Sequence, residues 1–111
     1  MNRRVGIRPQ PDQVADEMAI RGLAHAFADS VNRRDVAVFE SLWDDDGVWE
    51  TGAPLHSIAE GSTNIAAHFL RLLEPLEFFV QVHSGVVTID GDRATARWSV
   101  QETGRRRDGG P

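Results

Sequence analysis

The last third of the chain alternates apolar and polar residues with a period of two, which is the pattern of a half-buried β-strand. The even positions from 94 to 100 are apolar, and the odd positions between them are polar or charged. Residues 78–89 are rich in Val and Phe, and the Asp-Gly-Asp sequence at residues 90–92 is a turn signal. These features predict a long antiparallel hairpin over residues 78–103, with one face toward the core and the other toward water.

The position of the turn decides which side chains share the apolar face. A two-residue turn at either position within residues 90–92 places odd residues of the first strand opposite even residues of the second. Phe79, His83 and Val87 then lie on the apolar side, and His83 is predicted to point into it. A β-bulge at Gly85 would reverse this register.

Three helices are predicted before the hairpin, because apolar residues recur there at helical spacing. The three apolar stripes cover residues 20–31, 36–43 and 65–73. Between the second and third helices, residues 48–51 are predicted as a short strand and residues 52–61 as a loop. Most of the strand content therefore follows the helices.

The chain of 111 residues has the size of one domain. Residues 12–104 carry the patterned elements and are expected to form that domain. Residues 1–11 contain Gly and Pro without periodicity, and we expect them to be a flexible N-terminal arm. Residues 105–111 are expected to be a flexible Arg/Gly tail, so one folded unit has a tail at each end.

The amino-acid composition excludes several kinds of chemistry. The chain contains no Cys, no Lys and no Tyr, which removes disulfides, thiol nucleophiles, Schiff-base lysines and tyrosine acids. The four His residues show no metal-binding spacing, and Asp44-Asp45-Asp46 lacks the alternation of a calcium loop. The sequence therefore predicts no metal site and no other cofactor.

The charge distribution limits the kinds of partner. Between residues 11 and 104 the chain carries six Arg against sixteen Asp or Glu. Such an acidic body repels phosphate backbones, so we expect no nucleic-acid partner. No apolar run approaches the length of a membrane span, and the first residues lack the apolar stretch of a signal peptide. We therefore expect a cytoplasmic protein that does not contact membranes.

Four motifs follow one another along residues 13–104. They are ADSVNRRD at residues 28–35, LWDDDGVW at 42–49, VHSG at 82–85 and IDGDRATARW at 89–98. Their order and spacing resemble the SnoaL-like branch of the nuclear transport factor 2-like superfamily, the branch that includes scytalone dehydratase. Such a resemblance is informative about the fold and much less so about the activity.

The resemblance implies an α+β fold in which a curved antiparallel sheet packs on three N-terminal helices. Sheet and helices then form a cone with one apolar pocket, a cystatin-like α+β barrel. Family members usually continue after the hairpin with one or two further strands, whereas this sequence stops at residue 111. We therefore expect either a truncated chain or a partner chain that covers the open edge of the sheet.

The resemblance also implies a catalytic residue. The dehydratase pattern has a pocket His on the first long strand, which His83 matches, and a second pocket His that has no counterpart here. In the enzymatic hypothesis His83 moves a proton as a general acid or base. The alternative is a pocket His that only donates a hydrogen bond to a backbone carbonyl or water.

Six further residues are predicted to contact the bound molecule. They are Phe27, Asn32, Trp49, Glu50, Trp98 and Glu102. Trp49 and Trp98 are either aromatic walls or plain core residues. Glu50 points inward, or it points outward while Trp49 is buried. Glu102 either orients His83 or lies exposed at the strand end, and Asn32 either steadies a substrate oxygen or caps the first helix.

Two kinds of function fit these residues. The first is a domain that binds a small hydrophobic or aromatic molecule and acts as a cofactor-free dehydratase or isomerase through His83. The alternative is a non-catalytic ligand-binding or dimerisation module, or a truncated inactive relative. Phe78, Val80 and Val86 on the other face of the first long strand favour a homodimer in which sheet faces pack together.

Overall fold

The computed structural model describes residues 13–109, which fold into three helices and four strands. In chain order they are α1 (Val14–Arg33), α2 (Val36–Ser41), β1 (Val48–Thr51), β2 (Ser57–Glu60), α3 (Ser62–Leu73), β3 (Leu76–Asp90) and β4 (Arg93–Arg106). The α+β class, the three helices and the final hairpin are confirmed. The predicted N-terminal arm at residues 1–11 lies outside the described residues. None of the helices in the described part is long and apolar enough to cross a membrane.

The corner between α1 and α2 is formed by two adjacent residues. Arg34 ends α1 in the left-handed region at φ 57°, and its backbone N–H donates to the Val31 carbonyl oxygen at 3.2 Å. The Asp35 carboxylate accepts a hydrogen bond from the Val38 N–H at 3.2 Å and so caps α2. The corner turns Phe39 of α2 into the core, where its side chain is completely buried.

The segment predicted as a loop, residues 52–61, contains strand β2, so this prediction is wrong for its second half. β2 pairs antiparallel with β1 and places Ala59 opposite Trp49. The strand escapes sequence analysis because its largest apolar residue, Ile58, is 61% exposed, whereas the small Ala59 faces the core. A four-residue strand with this pattern depends on its pairing with β1 rather than on an apolar stripe of its own.

The hairpin is longer than the sequence predicts. Residues 105–106, which the sequence assigns to the flexible tail, belong to β4 because they pair with the start of β3. Arg105 also forms an ion pair with Glu77 at 3.0 Å. At the other end the two-residue turn falls at Gly91-Asp92, which is one of the two predicted positions.

A β-bulge interrupts β3 near its middle. Val82 pairs with Val100 and Gly85 pairs with Trp98, so the register shifts within residues 83–84. Gly85 lets the strands approach closely here, since a Cβ at this position would lie 2.0 Å from a ring carbon of Trp98. The two faces of β3 therefore exchange at the bulge.

Because of the bulge, half of the predicted apolar face is wrong. Before the bulge the even residues of β3 face the helices, and Val80 is 2% exposed. After it the odd residues do, and Val87 is 6% exposed. Phe79 precedes the bulge and His83 lies within it, and both residues are exposed. The predicted inward orientation of His83 is corrected by this finding.

The Asn32 side chain pairs with the outer backbone edge of β3, the edge that faces away from β4. Its amide nitrogen donates to the Val80 carbonyl at 2.9 Å, and its amide oxygen accepts the Val80 N–H at 2.8 Å. These two hydrogen bonds reproduce those that a neighbouring strand would make. Asn32 thus satisfies both backbone groups of a residue that is buried in the core.

Two arginines occupy further carbonyl groups along the same edge of β3. Arg34 donates to the Leu76 carbonyl oxygen, at the base of the hairpin. Arg21 donates to the Gly85 carbonyl oxygen at 3.4 Å, beside the bulge. The outer edge of β3 is therefore capped at three points by side chains from α1 and from the residue that ends it.

Replacing Asn32 with alanine is expected to lower the free energy of unfolding by about 2 kcal/mol, because the backbone N–H and C=O of Val80 would lose their partners. Urea denaturation followed by tryptophan fluorescence measures this change. Asn64→Ala is the matched control, since the Asn64 amide donates to the Glu60 carbonyl at an exposed position. A loss of under about 0.5 kcal/mol for Asn32→Ala would contradict the role of Asn32 at this edge.

The core lies where the helices meet the base of the hairpin. Its buried apolar side chains are Val31, Phe39, Ala59, Ile65, Phe69, Leu73 and Val80. All side chains of β4 except Trp98 are exposed, and the molecule measures 59 × 27 × 25 Å. Among the described residues, β1–β2 and β3–β4 form two separate two-stranded sheets, where the resemblance implies one curved sheet. The distal part of the hairpin therefore extends beyond the core.

Candidate functional site

A cavity of about 680 Å³ lies between the helices, β1 and the base of the hairpin. Its wall is largely apolar. Each of five elements contributes one aromatic ring, and these rings belong to Phe27, Phe39, Trp49, Phe69 and Phe78. Both the volume and the aromatic lining are those of a site for a small organic molecule.

Thr51, Glu102 and Arg106 interrupt this apolar wall. Thr51 is the last residue of β1, and the other two residues lie on the inner face of β4. Arg106 is paired with Asp108 at 2.9 Å, so its charge is balanced locally. Glu102 forms no ion pair within residues 13–109, which leaves one unpaired carboxylate on the wall. The same residues contain no group of three His, Asp or Glu side chains that could hold a metal ion.

Three of the seven residues predicted for the site line the cavity, namely Phe27, Trp49 and Glu102. Phe27 and Trp49 pack against the ring of Phe39, with centroid distances of 5.8 and 5.6 Å. Glu102 lies opposite Val80 in the hairpin and so shares the face that points to the helices. The structure therefore brings these three residues, from α1, β1 and β4, around one cavity.

His83 and Glu50 do not line the cavity. The bulge in β3 leaves His83 on the outer face of the hairpin, where it is exposed. Glu50 is exposed on the outer face of β1, which agrees with the alternative in which Trp49 faces inward. The imidazole that the sequence assigns to proton transfer is thus separated from the cavity by the sheet.

Asn32 and Trp98 also lie outside the cavity wall, and each has a structural partner. Asn32 is engaged by the backbone of Val80, so its amide does not reach into the cavity. The Trp98 ring covers Gly85, and the Arg21 guanidinium lies 5.6 Å from the ring centroid. Both residues act in holding α1 against the hairpin.

Thr51, Ser57 and His68 form a polar cluster beside the cavity that the sequence does not predict. The Thr51 and Ser57 hydroxyl oxygens, on paired residues of β1 and β2, lie 2.5 Å apart. The Ser57 hydroxyl oxygen lies 3.1 Å from Nε2 of His68, which α3 supplies. The His68 ring stands edge-on to Trp49 at 5.4 Å between centroids. Because residues 52–61 read as a loop, nothing in the sequence indicates that these three side chains meet.

Comparison with solved structures supports the fold. The chain is similar to a protein of unknown function with a cystatin-like fold from Nostoc punctiforme, at a TM-score of 0.71 and 21% identity over 86% of this chain and 69% of that one. It is also similar to a ketosteroid isomerase-like protein from Erwinia carotovora atroseptica, at a TM-score of 0.71 and 22% identity over 92% and 75% of the two chains. These likenesses define an α+β protein with a cystatin-like fold.

The family follows from the sequence itself. Residues 12–111 match the model of the SnoaL-like domain, which covers most of the chain. The protein therefore belongs to the SnoaL-like domain family, and the predicted family is confirmed. No match was found among curated proteins.

Proposed function

We propose that the protein binds a small hydrophobic or aromatic molecule in the cavity between the helices and the base of the hairpin. The observation that carries the proposal is the ring of five aromatic side chains around a space of about 680 Å³. A wall of this kind favours burial of an apolar ligand, since each Å² of apolar surface removed from water contributes roughly 25 cal/mol. Thr51 and Glu102 supply polar contacts at the wall.

Binding, rather than a dehydratase or isomerase reaction, is the function that the geometry supports best. His83, the residue assigned to proton transfer, lies on the outer face of the sheet. Glu102 is the unpaired carboxylate on the wall and is suited to accept a hydrogen bond from a bound molecule. The homodimer stays a prediction, but the surface predicted for it is wrong in part. Phe78 and Val80 line the cavity, and only Val86, which is 51% exposed, lies at the surface.

Naphthalene is a suitable probe because it is apolar, aromatic and small enough for the cavity. We expect saturable binding with shifts in the methyl NMR signals of Val31, Leu72 and Leu76, which line the cavity. The methyl signals of Val86, which is 51% exposed and lies outside the lining, are expected to stay in place. The ring currents of a bound aromatic molecule reach only nearby protons, so the pattern of shifts locates the ligand.

A substitution at the wall tests the same proposal. Gly52 lines the cavity, and a Cβ there would meet no heavy atom within 4 Å, so Gly52→Trp adds bulk with little strain. We expect naphthalene to bind this variant at least about ten-fold more weakly, a change of about 1.4 kcal/mol. Gly22→Trp is the matched control, since Gly22 is exposed on α1 and equally open. Equal affinity of Gly52→Trp and wild type, or shifts spread evenly over exposed methyl groups, would contradict the proposal.

A further inference from the structure

We propose that Thr51, Ser57 and His68 form a hydrogen-bonded chain that recognises an oxygen atom of the bound molecule. The ligand class is then an apolar or aromatic molecule that carries a hydroxyl or carbonyl group. This inference rests on the proposed binding function and adds to it the chemical group that the cavity selects.

The three side chains converge from three elements. Thr51 and Ser57 are directly paired in the β1–β2 ladder and lie on the same face as Trp49 and Ala59, which is the face that packs on the core. His68 reaches this face from α3 and is partly buried. Of the three, Thr51 belongs to the cavity wall. The hydrogen-bonded chain therefore leads from the Thr51 hydroxyl at the cavity wall, through the Ser57 hydroxyl, to the His68 imidazole behind the wall.

A count of donors and acceptors identifies what Thr51 has left for a ligand. A hydroxyl has one proton to donate and two lone pairs to accept. The Ser57 N–H donates to the Thr51 hydroxyl oxygen at 3.2 Å, which uses one lone pair. The second partner is the Ser57 hydroxyl at 2.5 Å, where either oxygen donates. The third is the Ser57 carbonyl at 3.4 Å, which is long for a hydrogen bond between oxygens.

The direction of the hydrogen bonds between His68, Ser57 and Thr51 determines whether Thr51 has a proton or a lone pair available for a ligand. When Nε2 of His68 carries a proton, it donates to Ser57, the Ser57 hydroxyl donates to Thr51, and the Thr51 proton has only the carbonyl at 3.4 Å. A ligand oxygen is a better acceptor for that proton. When Nε2 is unprotonated the chain reverses, and Thr51 keeps one lone pair for a ligand hydroxyl. A ligand hydroxyl can therefore form a hydrogen bond with Thr51 in both protonation states of Nε2. A ligand carbonyl can do so only when Nε2 carries a proton.

The surroundings make this contact selective. Apart from Thr51, the polar side chains of the wall are those of Glu102 and Arg106, which are charged and belong to β4. A hydroxyl facing an otherwise apolar wall gains more from a partner than it would in water, since a buried polar group without one is costly. Thr51 is therefore the neutral group against which an uncharged ligand oxygen can be placed.

The experiment compares naphthalene with 2-naphthol, which differ by one hydroxyl group. For each variant, fluorescence titration gives the ratio of the naphthalene Kd to the 2-naphthol Kd, a quantity that cancels changes in apolar contact. We expect Thr51→Val, which removes the hydroxyl at nearly constant volume, to lower this ratio about five-fold from its wild-type value. Thr95→Val is the matched control, because Thr95 lies on the outer face of β4, away from the cavity, and the ratio should stay at the wild-type value.

His68 acts through Ser57 and is tested as a positioning residue. His68→Phe removes the donor and acceptor and is expected to lower the ratio about two-fold. His68→Gln offers both groups again near the position of Nε2 and is expected to restore the ratio, which a role in packing alone would not explain.

The outcomes separate the two proposals. If naphthalene binds but the ratio is the same in wild type and Thr51→Val, the oxygen-recognition inference is wrong while the binding function stands. An equal ratio in His68→Phe, His68→Gln and wild type removes His68 from the chain. If neither probe binds the wild-type protein, the binding function fails and the inference falls with it.

Discussion

Replacing Phe39 with alanine should lower the free energy of unfolding by about 3–5 kcal/mol, the range for deleting a fully buried aromatic ring. Phe39 is completely buried, and its ring stacks on Phe69 with centroids 4.1 Å apart. The rings of Phe27, Trp43 and Trp49 surround it at centroid distances of 5.6 to 6.0 Å. Removal of a ring that contacts four other aromatic rings leaves a cavity, and the cavity adds to the lost burial of the ring itself.

Urea denaturation measures the effect of Phe39→Ala, and Val38→Ala is its matched control. Val38 is the neighbouring residue of α2 and is 40% exposed, so its replacement should cost less than about 1 kcal/mol. Since small domains have only about 5–15 kcal/mol of stability in total, Phe39→Ala should also lower the melting temperature clearly. Equal midpoints for the two variants would show that the core is not centred on Phe39.

Gly85→Ala should destabilise the protein by about 3 kcal/mol, because the added methyl group has no room in the bulge. The new Cβ would lie 2.0 Å from a ring carbon of Trp98 and 2.7 Å from the carbonyl oxygen of Arg97. The ring can move only by giving up its contacts with Gly85 and Arg21, and the carbonyl oxygen belongs to the backbone of β4. Both adjustments separate the two strands at this point.

Thermal unfolding and the tryptophan emission spectrum together test Gly85→Ala. We expect a lower melting temperature and a red shift in emission, since the displaced Trp98 ring becomes more exposed to water. Gly22→Ala is the control, because a Cβ on Gly22 meets nothing within 4 Å and alanine favours the helix by roughly 0.5–1 kcal/mol. A Gly85→Ala variant as stable as wild type would contradict the tight packing of Trp98 on the bulge.

Periodicity in the sequence predicts the elements that bury an apolar stripe of their own. The three helices and β3 have such stripes, and β1 is predicted with its observed bounds, residues 48–51. β4 has the alternating pattern, but the face predicted to be buried is exposed except at Trp98. β2 has no stripe, since Ile58 faces outward and the inward side chains are Ser57 and Ala59. Its existence depends on a partner strand that local sequence does not reveal.

In the candidate site, too, some residues are predicted from the sequence, whereas others depend on contacts between distant elements. Trp49 and Phe27 are large aromatic residues within apolar patterns, and both are predicted for the pocket that the family resemblance implies. A bulge of one residue is enough to reverse the orientation of His83, because side chains on a strand alternate with period two. Ser57 and His68 meet only because β2 pairs with β1 and α3 packs beside both strands, so their contact belongs to tertiary structure.

The two edges of the hairpin differ in how many of their backbone groups are free to pair with another strand. Asn32, Arg34 and Arg21 already hold carbonyl groups along one side of the ribbon, so an incoming strand there would have to displace helix side chains. On the opposite side, the backbone of β4 presents its outward N–H and C=O groups without such competitors among the described residues. A further strand that paired with this hairpin would therefore meet unoccupied backbone groups along β4 and occupied ones along β3.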